Sequence, residues 1–361
     1  MQRGVIQIDR IIVRGANWIG DAVMTLPALE RLRASFPRSH IALLATPLTT
    51  GLFESSPFVD EVIEYRRKED GARAFIEAMR LMRARRFDLA ALFQNAFEAA
   101  LLARMGGAPA RVGFVAQGRG PLLTHKLHRD PRRSDRHQVH DYLDIVAECE
   151  RLGLGGNVES RIPGLKSQVS NPLPSLTVSP AQRRAAEALL RRAGVDSDSR
   201  PLIALNASAT NSRAKRWPED RFAALADRLI EALGSRIIFI GAASERDGVE
   251  RIIRQMKRRG AINLAGETGL AELIGALDAC DLLVSNDTGP AHVAAALGRP
   301  TLTIFGPTNE FETAPRGARA EAIRAEGVEC ARCMLRDCPI DHRCMTRVGP
   351  SEVFERALKL L

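Results

Sequence analysis

Short apolar runs alternate with amphipathic helical stretches along the chain, and the series occurs twice. The first series places strands at residues 10–14 (RIIVR), 40–45, 62–65, 88–93 and 111–115, with helical patterns at 20–36 and 73–86. The second places them at 201–206, 236–241, 261–265, 281–285 and 301–305, with helical stretches at 219–233 and 269–280. Strand–helix alternation of this kind predicts mostly parallel sheets covered on both faces. Between about residues 155 and 180 a polar stretch is crowded by Pro163, Pro172, Pro174 and Pro180, which reads as a linker. The expected fold is therefore α/β, with one domain over 1–170 and another over 175–348. Pro27 interrupts the first helical stretch and predicts either a kink or a fresh first turn. Open parallel sheets bind ligands beyond the carboxyl ends of their strands, so the site is expected in a cleft between the two halves.

Composition narrows the chemistry. The 361 residues carry 52 Lys and Arg against 43 Asp and Glu, a formal charge of +9 that points to an anionic partner. Few aromatics interleave with these cations and no nucleic-acid motif is present, so nucleic acid is not the expected anion. No apolar run reaches the length of about 18 residues that a spanning helix needs. Met1-Gln2-Arg3-Gly4 leads straight into a strand-like segment without a signal peptide's apolar core, so a cytoplasmic protein with reduced cysteines is expected. Neither G-x-G-x-x-G nor G-x-x-x-x-G-K-[ST] occurs, which argues against dinucleotide oxidoreductases and P-loop enzymes.

Four groups of residues carry candidate chemistry. Gly20-Asp21 opens the first helix directly after the first strand; Asp21 is either a plain helix-start carboxylate or a general base. The hydroxyl-rich run from Asn206 to Pro218 is either a solvated loop or a phosphate cradle using hydroxyls, backbone amides and Lys215. In Ser285-Asn286-Asp287-Thr288-Gly289-Pro290-Ala291-His292, Gly289 and Pro290 fit a tight turn into a helix whose N–H groups can face a diphosphate. The bland alternative makes Asp287 or Thr288 a cap and His292 a surface residue. Cys330, Cys333, Cys338 and Cys344 form a compressed C-x2-C-x4-C-x5-C cluster. Structural zinc or an iron–sulfur cluster is one reading, and a structural or redox-labile thiol group is the favoured one. Cys149 and Cys280 read as core residues. Finally, Arg111, Arg119, Lys126, Arg129, Arg132, Arg133 and Arg136 lie close together, either as a solvated basic loop or as a patch for acceptor phosphates or anionic lipid.

These motifs together resemble the ADP-heptose:lipopolysaccharide heptosyltransferases of glycosyltransferase family 9, and among them the heptosyltransferase II type. The resemblance runs from about Ile11 to Gly349. It rests on Gly20-Asp21 with Thr25-Leu26-Pro27-Ala28-Leu29 and on Ala214-Lys215-Arg216-Trp217-Pro218. Leu264-Ala265-Gly266-Glu267-Thr268 and Asn286-Asp287-Thr288-Gly289 with His292-Val293-Ala294-Ala295-Ala296-Leu297 complete it. It implies a GT-B architecture, two Rossmann-like domains with mostly parallel sheets facing across a cleft, and a C-terminal segment 349–361 that returns to the first domain. It also implies inverting, metal-independent heptose transfer from ADP-heptose to the lipopolysaccharide inner core, with no cofactor and with Asp21 as base. Family roles put Ser208, Thr210 and Lys215 on the diphosphate, Glu245 on the ribose and Thr268 beside the adenine. Thr288 and Gly289 would make backbone contacts to phosphate, and Asp287 and His292 would face the heptose. Arg111 and Arg119 are the candidates for binding the acceptor at an anionic membrane face. The rivals are a heptosyltransferase I type acting on Kdo-lipid A, another family 9 transferase, and a non-catalytic polyanion- or membrane-binding protein.

Overall fold

The computed structural model describes residues 7–130, 135–154, 172–195, 201–210 and 212–361. The middle of the expected linker, with Pro163, lies outside these residues, as do Arg132, Arg133 and Asn211. The chain divides into two compact units that meet at Pro174 and Ser175.

In the first unit the elements run β1 (Arg10–Arg14), α1 (Ile19–Met24), α2 (Leu26–Ser35), β2 (His40–Ala45), β3 (Glu61–Glu64), α3 (Arg67–Arg85), β4 (Leu89–Leu92), α4 (Phe97–Met105), β5 (Ala110–Phe114), β6 (His125–Leu127) and α5 (Val139–Leu154). All strand pairs are parallel, in the order β3-β2-β1-β4-β5-β6. Central strands need apolar side chains on both faces, and Ile11, Ile12 and Val13 of β1 are at most 2% exposed. Pro27 resolves as a fresh start: α1 stops at Met24, and Pro27 occupies the first turn of α2, where its missing N–H leaves no helical bond unmade. Arg31 of α2 donates twice to the Glu150 carboxylate of α5 (2.7 and 2.5 Å), and Ser35 Oγ adds a third bond at 2.6 Å. This buried, fully bonded pair fixes α5 against α2 beneath the sheet.

The second unit runs α6 (Pro180–Arg192), β7 (Leu202–Asn206), α7 (Glu219–Leu233), β8 (Arg236–Phe239), α8 (Arg246–Gln255), β9 (Ala261–Asn263), α9 (Leu270–Ala279), β10 (Leu282–Asn286), α10 (Gly289–Ala296), β11 (Thr301–Phe305), α11 (Glu310–Thr313), β12 (Ala320–Arg324), α12 (Arg343–Thr346) and α13 (Pro350–Leu360). Its sheet, again all parallel, has the order β12-β11-β10-β7-β8-β9, the same winding as the first. The edge strands β6 and β12 were not anticipated from the sequence. Val353 and Ala357 of α13 are 0% exposed and join the core formed by Phe222, Leu225 and Leu302 of the second unit. Arg228 of α7 reaches Ser351 at 2.9 Å. An amphipathic helix stays where its apolar stripe is buried, and the stripe of α13 is buried in the core of the second unit. Among the described residues no helix is long and apolar enough to cross a membrane.

Candidate functional site

In each sheet the strand order reverses beside the strand that begins its unit, between β1 and β4 and between β7 and β10. Chain segments leave these strand pairs in opposite directions, which opens a crevice at their carboxyl ends. Asp21 follows β1, the run from Ser208 to Lys215 follows β7, and Asp287 to His292 follow β10; Glu245 and Thr268 follow β8 and β9. The motifs thus gather where a doubly wound sheet binds ligands.

In the second unit two asparagines at the strand ends tie the loops together. Asn206 donates to Thr288 Oγ1 at 2.7 Å and accepts from the Ser208 N–H at 3.2 Å. Asn286 donates to the Ala207 carbonyl at 2.8 Å and accepts from the Trp217 N–H at 3.1 Å. Neither was singled out from the sequence for this role, because each reads simply as the polar end of an apolar strand. Lys215 Nζ donates to Asp287 Oδ2 at 2.7 Å, and Thr308 donates to the same oxygen at 2.7 Å. Asp287 is 5% exposed and Lys215 only half-buried, so the cation keeps a solvent face. No side chain caps the start of α10, and Pro290 in its first turn has no N–H, so the remaining first-turn amides carry the positive end of the helix dipole. His292 is buried in α10; desolvation pulls its pKa down to about 4 despite the charge of Asp287, which keeps the imidazole neutral near pH 7.

Glu245 links the loops after β7 and β8: it accepts from Thr210 Oγ1 at 3.2 Å and from the Ala242 N–H at 2.8 Å. Gly241 belongs to the same corner, since a Cβ there would sit 3.0 Å from Ser208 Oγ and 3.1 Å from Glu245 Oε2. Thr268 is half-buried, and no hydrogen bond joins it to this corner among the described residues. The cysteine-bearing loop supplies an unanticipated brace. The Arg336 carbonyl accepts from the Ala214 N–H (2.9 Å) and from Ser212 Oγ (3.2 Å), while His342 Nε2 bonds the Ala214 carbonyl at 2.6 Å. All six cysteines are free thiols: Cys330 and Cys333 are exposed, Cys338 is half-buried, and Cys149, Cys280 and Cys344 are buried. Among the described residues no three of the His, Cys, Asp or Glu side chains are grouped to hold a metal ion.

In the first unit Asp21 lies half-buried in the first turn of α1. Its charge reaches the Tyr142 phenol, which burial and Asp21 together push well above the usual tyrosine range. Phe93 packs on Tyr142 with ring centroids 5.4 Å apart.

The two arginines expected to bind the acceptor are buried and hydrogen-bonded within the first unit. Arg111 is 9% exposed, and its guanidinium donates to the carbonyls of Leu122 (2.7 Å) and Ala108 (2.5 Å). Arg119 is 0% exposed; it donates to the Phe114 carbonyl at 2.8 Å, to the Gln94 carbonyl and to Asn95 Oδ1 at 2.8 Å. Burial lowers its pKa to about 10, still charged at neutral pH. Three of the five N–H groups of Arg119 are thus engaged inside the protein, and at 0% exposure its guanidinium presents no solvent face to a ligand's anion. Arg119→Ala is accordingly expected to cost about 2–4 kcal/mol of stability in urea unfolding, since it leaves buried acceptors unsatisfied. A rise in acceptor KM without any loss of stability would restore the original expectation. Elsewhere in this basic stretch Arg129 pairs with Asp141 and Arg136 with Asp144, both at 2.8 Å, and Lys126 is exposed.

Comparison with known proteins shows the family and the fold. A model of glycosyltransferase family 9 (heptosyltransferase) matches residues 76–343. The lipopolysaccharide heptosyltransferase 2 of Salmonella typhimurium is 30% identical over 325 residues, covering 87% of this chain and 88% of the relative. Among solved structures, Escherichia coli ADP-heptose lipopolysaccharide heptosyltransferase II superposes with a TM-score of 0.78 at 26% identity, covering 97% of this chain and 98% of the other. A family 9 glycosyltransferase from Veillonella parvula superposes with a TM-score of 0.81 at 25% identity over 99% and 98%. The two parallel α/β units are those of the GT-B fold.

Proposed function

The chain belongs to glycosyltransferase family 9, and from that premise we propose that it moves L-glycero-D-manno-heptose from ADP-heptose to the first heptose of the lipopolysaccharide inner core. The observation that carries the donor half of this reading is the Lys215–Asp287 pair at the switch point of the second sheet, next to the uncapped start of α10. Departure of ADP builds negative charge on the diphosphate. Lys215, the hydroxyls of Ser208 and Thr210, and the amides around Thr288 and Gly289 are the groups available to meet it. Glu245 and Thr268 would border the nucleoside, and Asp287 with neutral His292 would face the heptose.

Transfer with inversion needs one base opposite the leaving group, and Asp21 is the carboxylate at the equivalent position of the first sheet. No step of this mechanism calls for a metal or cofactor. The protein would work in the cytoplasm, peripheral to the inner membrane face that presents its acceptor. Resemblance to the heptosyltransferase 2 relatives favours this acceptor over Kdo-lipid A. A simple polyanion binder would have no use for the motifs of the second unit.

Purified protein incubated with ADP-heptose and a panel of truncated core acceptors tests the proposal. One heptose should be gained, by mass spectrometry, on acceptors ending in a first heptose, with stoichiometric ADP release that chelators do not slow. Transfer to Kdo-lipid A alone would reassign the step, and no transfer to any core acceptor would overturn the reading.

A further inference from the structure

Two exposed side chains of the first unit, one of them three residues ahead of Asp21, have no part in the reaction as described. Trp18 stands at the start of α1, three residues ahead of Asp21, and is 49% exposed; Trp217, the only other tryptophan, is 1% exposed. Lys68 Nζ lies 5.0 Å from the centroid of the Trp18 ring. Lys68 is itself exposed, and among the described residues no carboxylate forms an ion pair with it. Its neighbours are engaged: Arg66 pairs with Glu64 at 2.8 Å and Arg67 with Glu98 at 2.6 Å, while Asp70 sits 3.6 Å from Arg66.

The residues next to the pair in sequence are tied into one network. Asn17, adjacent to Trp18, accepts from Arg14 at 2.8 Å. Arg67, adjacent to Lys68, is fixed by Glu98, which also accepts from the Tyr65 hydroxyl at 2.7 Å. The Arg14 guanidinium lies 5.1 Å over the Tyr65 ring and closes the circuit. Arg14 and Tyr65 are both buried, so the exposed indole and ammonium stand on a packed polar network.

Leaving half an indole in water forgoes hydrophobic free energy that a ligand can recover on contact. A flat aromatic surface suits the C–H face of a sugar ring, and an ammonium without a carboxylate partner suits a phosphate or carboxylate substituent on it. We propose that Trp18 and Lys68 form the acceptor subsite: the indole stacks on the sugar whose hydroxyl Asp21 deprotonates, and Lys68 meets an anionic group on that acceptor. The proposal rests on the reading of Asp21 as the base and of a core sugar as the acceptor.

Fluorescence can follow it directly, because acrylamide quenching of the native protein reports Trp18 and leaves buried Trp217 silent. Saturation with a phosphorylated, heptose-terminated core acceptor should shield Trp18 from acrylamide. Trp18→Ala should raise the KM for this acceptor about three- to tenfold, with Trp18→Phe in between. Lys68→Ala should reduce binding of the phosphorylated acceptor to that of its dephosphorylated form and leave the latter unchanged. ADP affinity by calorimetry should be the same in all variants. Unaltered quenching at saturating acceptor overturns the subsite, as does wild-type KM in both alanine variants of a protein that turns over. Failure of the wild-type protein to transfer heptose at all overturns the reaction itself, and is thereby distinguished from failure of the subsite.

Discussion

Asp21→Asn is expected to lower kcat by roughly 10² to 10⁴ while the fold and ADP affinity survive. The substitution keeps the shape of the side chain and removes its charge. In α1 that charge is directed to the first turn, beside the carboxyl end of β1, in a half-buried position flanked by Tyr142. Asparagine retains the ability to bond backbone amides at a helix start, so circular dichroism and urea unfolding should change little. The ADP contacts proposed above all come from the second unit, so calorimetry with ADP should give the wild-type value. What asparagine cannot do is accept a proton as the new C–O bond forms. The diagnostic pattern is therefore a collapse of kcat with acceptor KM nearly unchanged. An Asn variant turning over at close to the wild-type rate would reduce Asp21 to a helix-start residue.

How much of this was legible in the sequence depends on what each feature needs. The central strands announced themselves because burial on both faces demands unbroken apolar runs such as RIIVR. The edge strands β6 (HKL) and β12 (AEAIR) did not, since an edge position tolerates polar residues and three-residue length. The donor-side candidates came from residue type alone, because hydroxyls, a lysine and a Gly-Pro helix start at strand ends suit an anion wherever they occur, and their donor role is the proposal tested below. The burial of Arg111 and Arg119 was hidden for the complementary reason. Sequence reports their charge but not their burial, and only the structure reveals that they donate to backbone carbonyls at Leu122, Phe114 and Gln94. The brace from Arg336 and His342 to Ala214 was equally hidden, because it joins segments more than a hundred residues apart.

Lys215→Ala is expected to affect two readouts that a second substitution can separate. Lys215 supplies the positive charge facing Asp287, bonding its carboxylate at 2.7 Å and its backbone carbonyl at 3.3 Å. Without the ammonium, a carboxylate that is 5% exposed keeps the Thr308 hydroxyl but loses its countercharge. Breaking a buried pair from one side costs about 3–5 kcal/mol; because Lys215 is partly solvated, a loss of about 1–3 kcal/mol is expected here. ADP affinity should fall about 10- to 100-fold, as expected when a charge-assisted bond to phosphate is removed. Adding Asp287→Asn to Lys215→Ala removes the stranded charge, so most of the lost stability should return in the double variant. ADP affinity should stay low, because the diphosphate would still lack its cation. If stability and ADP affinity instead recover together, Lys215 serves only to neutralise Asp287, and the departing diphosphate must find its positive charge elsewhere.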